Sequence, residues 1–168
     1  MKTQLLIFLL VCSSVGLFSQ QQPDSIQKTK TDFPITLSKN AVSFDASLLF
    51  LYVYGSIGGS FNYDHILIKN KENSQFLGVG TGIGYYLTGG ENDGIHGVQI
   101  PLKLIYLIGG KSSYFETNLG ARLIFFDKKI YEYPIINIGY RYQRPKEGLF
   151  FKALLGTDGF TLGLGYAF

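Results

Sequence analysis

His65 and His96 are the two side chains best suited to moving a proton near neutral pH, and each gains chemical meaning only with a nucleophile beside it. Two residues after each, on the same face of a strand, stand Leu67 and Val98, neither of which is a nucleophile. No base and nucleophile pair can be assembled, so no catalytic residue is assigned and the chain is read as a non-enzyme. Gly78, Gly80, Gly82 and Gly84 invite comparison with a phosphate-binding loop. Such loops space their glycines unevenly between a strand and a helix, whereas here the period is two. Thr88 to Gly94 carries Glu91 and Asp93 but lacks the alternating oxygen ligands and closing glutamate of a calcium loop. Neither a metal nor a cofactor is expected.

A second group of chemically active residues is Asp64, Lys103, Glu116, Arg122, Arg141 and Lys152. Each sits in an alternating segment, and most share strand parity with glycines or asparagines, as Asp64 does with Asn62 and Arg141 with Gly139. Glu116 and Arg122, for example, share their face with Asn118 and Gly120, while Phe115, Thr117, Leu119, Ala121 and Leu123 occupy the other. Alternation at period two defines a strand with two unlike faces. The charges therefore share the face of the glycines and asparagines, and the opposite face is apolar.

Composition favours strands as the elements that carry them. The chain has 168 residues, enough for one domain of ordinary size. It is 46% hydrophobic and 16% charged, with 21 glycines, 14 phenylalanines and 12 tyrosines. Disorder needs more charge and fewer aromatics, and helices tolerate glycine poorly. The net charge of +3, one less once Lys2 is removed with the leader described next, is too small and too scattered to suggest a nucleic-acid partner.

Lys2, the apolar run Leu5 to Val11 and the small residues Ser14 and Gly16 have the layout of a secretory signal peptide, with cleavage between Gly16 and Gln20. Residues 1–19 are assigned to it. Val11 precedes Cys12 where lipoprotein processing prefers a small residue, so acylation is not expected. Removal of Cys12 leaves the mature chain without a disulfide or thiolate. Residues 20–46, with Pro23, Pro34 and mixed charge, read as a polar N-terminal arm, on the side that the resemblance given below implies is periplasmic. Residues 47–168 read as the folded domain.

No later stretch is apolar for long enough to form a membrane helix, so membrane spanning would require a closed barrel. Eight strands can be counted, the first over Ser47 to Tyr54. Connections are expected at Gly55 to Gly59, Asn70 to Ser74, Thr88 to Gly94, Gly109 to Ser113, Asp127 to Glu132, Arg144 to Gly148 and Gly156 to Gly159. About 15 residues are available for each strand with its connection, which suits spanning strands of about 9 to 11 residues. The fold expected is an all-β, eight-stranded antiparallel up-and-down transmembrane barrel with both termini on one side. Its interior is only wide enough for side chains to fill, so the six inward charges must pair there. A plugged lumen is expected, with a narrow channel for small or apolar solutes as the alternative.

The last strand carries Phe160, Leu162, Leu164, Tyr166 and the terminal Phe168 on one face. This ending resembles the assembly signal of bacterial outer-membrane barrels. Together with Ile138-Gly139-Tyr140-Arg141-Tyr142-Gln143, Gly148-Leu149-Phe150-Phe151-Lys152 and Gly58-Gly59-Ser60-Phe61-Asn62-Tyr63-Asp64, it resembles small outer-membrane barrel proteins of the Bacteroidota type, similar in architecture to OmpA and OmpX. The resemblance implies an outer-membrane location with periplasmic termini. It also implies contact with outer-membrane lipid and lipopolysaccharide, and insertion by the barrel-assembly machinery with periplasmic chaperones. It implies a structural or partner-binding role and no activity. Lipid A-modifying barrel enzymes are the remote alternative, with His96 facing lipid near the outer surface. A lipocalin-type carrier would need an apolar inside and a polar outside, the reverse of this pattern.

Overall fold

The computed structural model describes residues 37–51, 54–70, 74–89, 96–145 and 147–168. They form eight strands and no helix: β1 (Asn40–Leu51), β2 (Tyr54–Lys69), β3 (Gln75–Thr88), β4 (His96–Gly110), β5 (Ser113–Phe126), β6 (Lys129–Gln143), β7 (Gly148–Gly156) and β8 (Gly159–Ala167). Each pairs antiparallel with the next, and β8 pairs with β1 from Ala41 opposite Ala167 to Leu48 opposite Phe160. The seam continues one residue further through two backbone hydrogen bonds: Asn40 N–H donates to Phe168 O at 3.1 Å, and Phe168 N–H to Asn40 O at 2.8 Å. Closure gives every strand two neighbours, although β6 runs past the end of β7, so that its residues 129–135 pair with β5 alone. The start of β1 and the end of β8 lie at one end of the barrel, the terminal end, with the turns after β2, β4 and β6. The ends of β1, β3, β5 and β7 lie at the far end.

The first hairpin differs from the sequence expectation. β1 begins at Asn40, so residues 40–46, expected in the arm, are half of a strand in which Ser43, Asp45 and Ser47 alternate with Val42, Phe44 and Ala46. Residues 20–36 of the arm and the whole leader lie outside the described residues. Gly55 to Gly59, expected as a turn, is strand: Gly55 pairs with Phe50 and Gly59 with Ala46. These glycines make room instead of bending the chain. A Cβ on Gly58 would stand 3.0 Å from the Tyr86 ring, and one on Gly59 would stand 3.4 Å from the ring of Phe44.

Other turns match their residues. Asn70 Oδ1 accepts the backbone N–H groups of Ser74 (2.8 Å) and Gln75 (3.1 Å), which ties off the end of the β2–β3 connection. The β5–β6 turn is tighter than the expected Asp127 to Glu132. Only Asp127 and Lys128 lie between the strands, at φ 46° and 59°, the left-handed geometry that suits a two-residue hairpin, and Glu132 already pairs with Leu123.

The two faces of the barrel are inverted relative to a soluble domain. Phe61, Leu149, Leu155 and Leu164 project outward and are each more than 60% exposed, whereas Glu116 and Lys152 are 0% exposed. The inside is layered from end to end. From the terminal end, β4 sends Leu107, Ile105, Lys103, Pro101 and Gln99 inward, and β5 sends Tyr114, Glu116, Asn118, Gly120, Arg122 and Ile124. The outermost of these join Phe76 and Leu37 in an apolar plug at the terminal end, against which Ile66 packs. Charged side chains follow, and then amides, hydroxyls and Tyr86 toward the far end.

Candidate functional site

The middle of the lumen is an ion-pair network with Asp64 at its centre. Its carboxylate lies 3.3 Å from Arg141 Nη1, 3.5 Å from Lys103 Nζ and 3.9 Å from Lys152 Nζ. Three cations from three strands thus converge on one acid. Arg141 is held on further sides: Nη1 lies 3.5 Å from Glu116, Nε donates to Gln143 Oε1 at 2.9 Å, and the guanidinium sits over the Phe150 ring at 4.1 Å. Glu116 also accepts from Asn118 Nδ2 at 2.9 Å. Two other members of the expected six, Lys103 and Lys152, share a second acid, Asp45, at 3.8 and 2.8 Å.

Arg122 belongs to a separate group nearer the far end. Its Nη2 lies 2.6 Å from Asp158, its guanidinium sits 4.7 Å from the Tyr86 ring centroid, and Tyr86 donates to Ser56 Oγ at 2.9 Å. Asn137 Nδ2 fixes the second oxygen of Asp158 at 2.8 Å. The structure therefore brings Asp64, Lys103, Glu116, Arg141 and Lys152 together and sets Arg122 apart.

Asp45 and Asp158 are the members the sequence reading did not include. Asp45 lay in the segment taken as arm, although its alternation with Ser43 and Ser47 was a usable signal. Asp158 occupies a two-residue turn, where strand parity says nothing about direction. With them the buried lumen charges balance, Asp45, Asp64, Glu116 and Asp158 against Lys103, Arg122, Arg141 and Lys152. Balance matters because removing an ion from water costs several kcal/mol unless partners replace the lost solvation.

Glycines clear the space. A Cβ at Gly80, between Asp64 and Lys103 in the sheet, would stand 2.7 Å from Asp64 Oδ1 and 2.6 Å from Lys103 Cε. At Gly78, Gly82 and Gly84 a Cβ would first meet the backbone carbonyls of His65, Phe61 and Gly59 on β2, so there the stripe serves close approach of the two strands. Comparison with known proteins finds no match: no family model, no curated protein and no solved structure.

The remaining candidates lie elsewhere. His96 is outward at the far end, 4.7 Å from the Phe126 ring and 6.5 Å from that of Tyr85. His65 is near the terminal end, where its Nδ1 lies 2.8 Å from Asn40 Oδ1, which also accepts the Tyr63 hydroxyl at 2.7 Å. Among the described residues no cluster of three or more His, Cys, Asp or Glu is placed to hold a metal. Most of the Thr88 to Gly94 loop lies outside the described residues. Phe160, Leu162, Leu164, Tyr166 and Phe168 all point outward and are exposed.

Proposed function

We propose that this chain is a small integral barrel of the bacterial outer membrane whose lumen is closed by ion pairs, with a structural or partner-binding role and no catalytic step. The observation that carries the reading is the inversion of the two faces. Outward Val, Leu, Ile, Phe and Tyr side chains run around every strand, while the buried interior holds eight charges. Soluble monomers rarely expose contiguous apolar surface beyond a few hundred Å². Hydrocarbon is the solvent that suits such a belt, and a closed barrel satisfies the backbone within it.

Tyrosines near the terminal end support the same reading. The hydroxyls of Tyr63, Tyr106 and Tyr140 meet Asn40, Gln75 and Ser113 at 2.7, 3.2 and 2.8 Å, while their rings lie on the outer surface. An apolar ring with a wet hydroxyl suits the boundary between hydrocarbon and water. The resemblance of β8 to an assembly signal favours this end as periplasmic. It also favours the barrel-assembly machinery, periplasmic chaperones and outer-membrane lipid, lipopolysaccharide included, as partners.

Membrane fractionation and gel migration before and after boiling test location. A folded barrel that migrates anomalously until boiled and fractionates with the outer membrane is expected. Recovery in the soluble periplasm with unchanged migration would overturn it. Planar-bilayer recording of the refolded barrel tests the plug. Negligible current is expected, and a steady ion current would replace the closed lumen with a channel.

A further inference from the structure

Between the charged network and the far end lies a polar cavity of about 30 Å³ inside the barrel. Gln99, Asn118, Arg122 and Thr161 line it, and each keeps one buried polar atom without a protein partner: Gln99 Oε1, Asn118 Oδ1, Arg122 Nε and Thr161 Oγ1. All four residues are more than nine-tenths buried. A buried polar atom left unpaired carries its full desolvation cost, so four around one small cavity call for a ligand.

The chemistry of the unpaired atoms selects it. The orientation of both amides is fixed by their nitrogens. Gln99 Nε2 donates to the carbonyls of Gly59 (3.2 Å) and Tyr85 (3.3 Å), and Asn118 Nδ2 donates to Glu116. Their free atoms are therefore acceptors, while Arg122 Nε is a donor and the Thr161 hydroxyl can be either. An anion would meet the two carbonyl oxygens, and a metal cation would meet the Arg122 N–H. The charged side chains around the cavity are two acids, Asp45 and Asp158, and two cations, Lys103 and Arg122, so no net charge asks for a counterion.

We infer that this cavity is a specific site for bound water, holding about two molecules given that one needs about 10–15 Å³ of such volume. The site completes the hydrogen bonding of Gln99, Asn118, Arg122 and Thr161. It places water on the far side of the charged network, whereas the layer of Leu37, Phe76, Ile105, Leu107 and Tyr114 fills the terminal end with apolar side chains. The inference rests on the lumen alone and holds wherever the barrel resides.

The test uses the full chain refolded in detergent micelles, with water-to-protein cross peaks recorded by NMR at the side-chain amides of Asn118 and Gln99. Long-lived water at both is expected, and its absence overturns the site. Thr161→Val, which keeps the side-chain shape, gives an independent sign. A hydrated cavity loses a partner, and the urea midpoint falls. In a dry one the substitution removes an unsatisfied hydroxyl, and a rise in the midpoint overturns the proposal. Exchange of sodium for choline chloride should change neither readout; a midpoint that depends on sodium would identify a cation in place of water.

Discussion

Asp158, carried on the two-residue turn between β7 and β8, reaches 2.6 Å from the guanidinium of Arg122 on β5 and so joins the far-end turn to a strand two places from β7 in the ring. Breaking a buried pair of this kind commonly costs about 3–5 kcal/mol, because the remaining charge keeps its desolvation without its partner. Asp158→Ala should therefore lower the urea midpoint strongly. The double variant Asp158→Leu with Arg122→Met should lie nearer the parent than either single change. Additive losses in that cycle would mean that the two charges act independently.

Asp64 has three cations within 4 Å, whereas Glu116 has Arg141 alone within that distance. Asp64→Asn is expected to destabilise more than Glu116→Gln, and both more than Glu147→Ala in an exposed turn, which should stay within about 0.5 kcal/mol of the parent. Urea unfolding of the three variants measures the order. Equal effects at Asp64 and Glu116 would remove Asp64 from the centre of the network.

Gly80→Ala places a methyl against Asp64 and Lys103, with Ile105 Cδ1 3.0 Å away. A loss of about 1–3 kcal/mol is expected, the usual range for an overfilled interior. Gly110→Ala is the control, since a Cβ there meets nothing within 4 Å. Matching midpoints for the two variants would show that the lumen yields easily at Gly80.

Deletion of Phe168 removes both an outward aromatic and the backbone pair with Asn40, while Phe168→Ala removes the aromatic alone. An assembly role for the side chain predicts a lower membrane-inserted yield from both. A fall with the deletion only would assign the effect to the backbone seam.

The alternating strands were legible because lumen and exterior demand opposite chemistry at every second residue. β5 and β8 show it along their whole length, and the six charges expected inside, carried on β2, β4, β5, β6 and β7, are buried in the lumen. The first hairpin was not legible. Leu48 to Leu51 is apolar on both parities, and Gly55 to Gly59 carries the residue that marks turns and close approaches alike. Facing also did not reveal partners. Glu116 and Arg122 share the inner face of β5, yet six residues along a strand separate them by about 20 Å. Glu116 pairs diagonally with Arg141 on the adjacent β6 and Arg122 with Asp158 on the β7–β8 turn, relations set by how the strands stagger and by where a turn folds, and neither is written in the local pattern.

The seam between Asn40 and Phe168 also shapes the kinetics of folding. Every other strand pair joins neighbours in sequence, but β1 waits for a partner at the opposite end of the described chain. Contacts of such long sequence separation require loop closure before they contribute, and they slow folding. Until β8 docks, β1 keeps an open row of amide and carbonyl groups that any other extended segment can capture. The hazardous interval is thus the one just before the ring closes, when nearly all of the sheet exists and two edges remain available for pairing between molecules. A factor that shields those edges would act on the yield of barrels without changing their final stability.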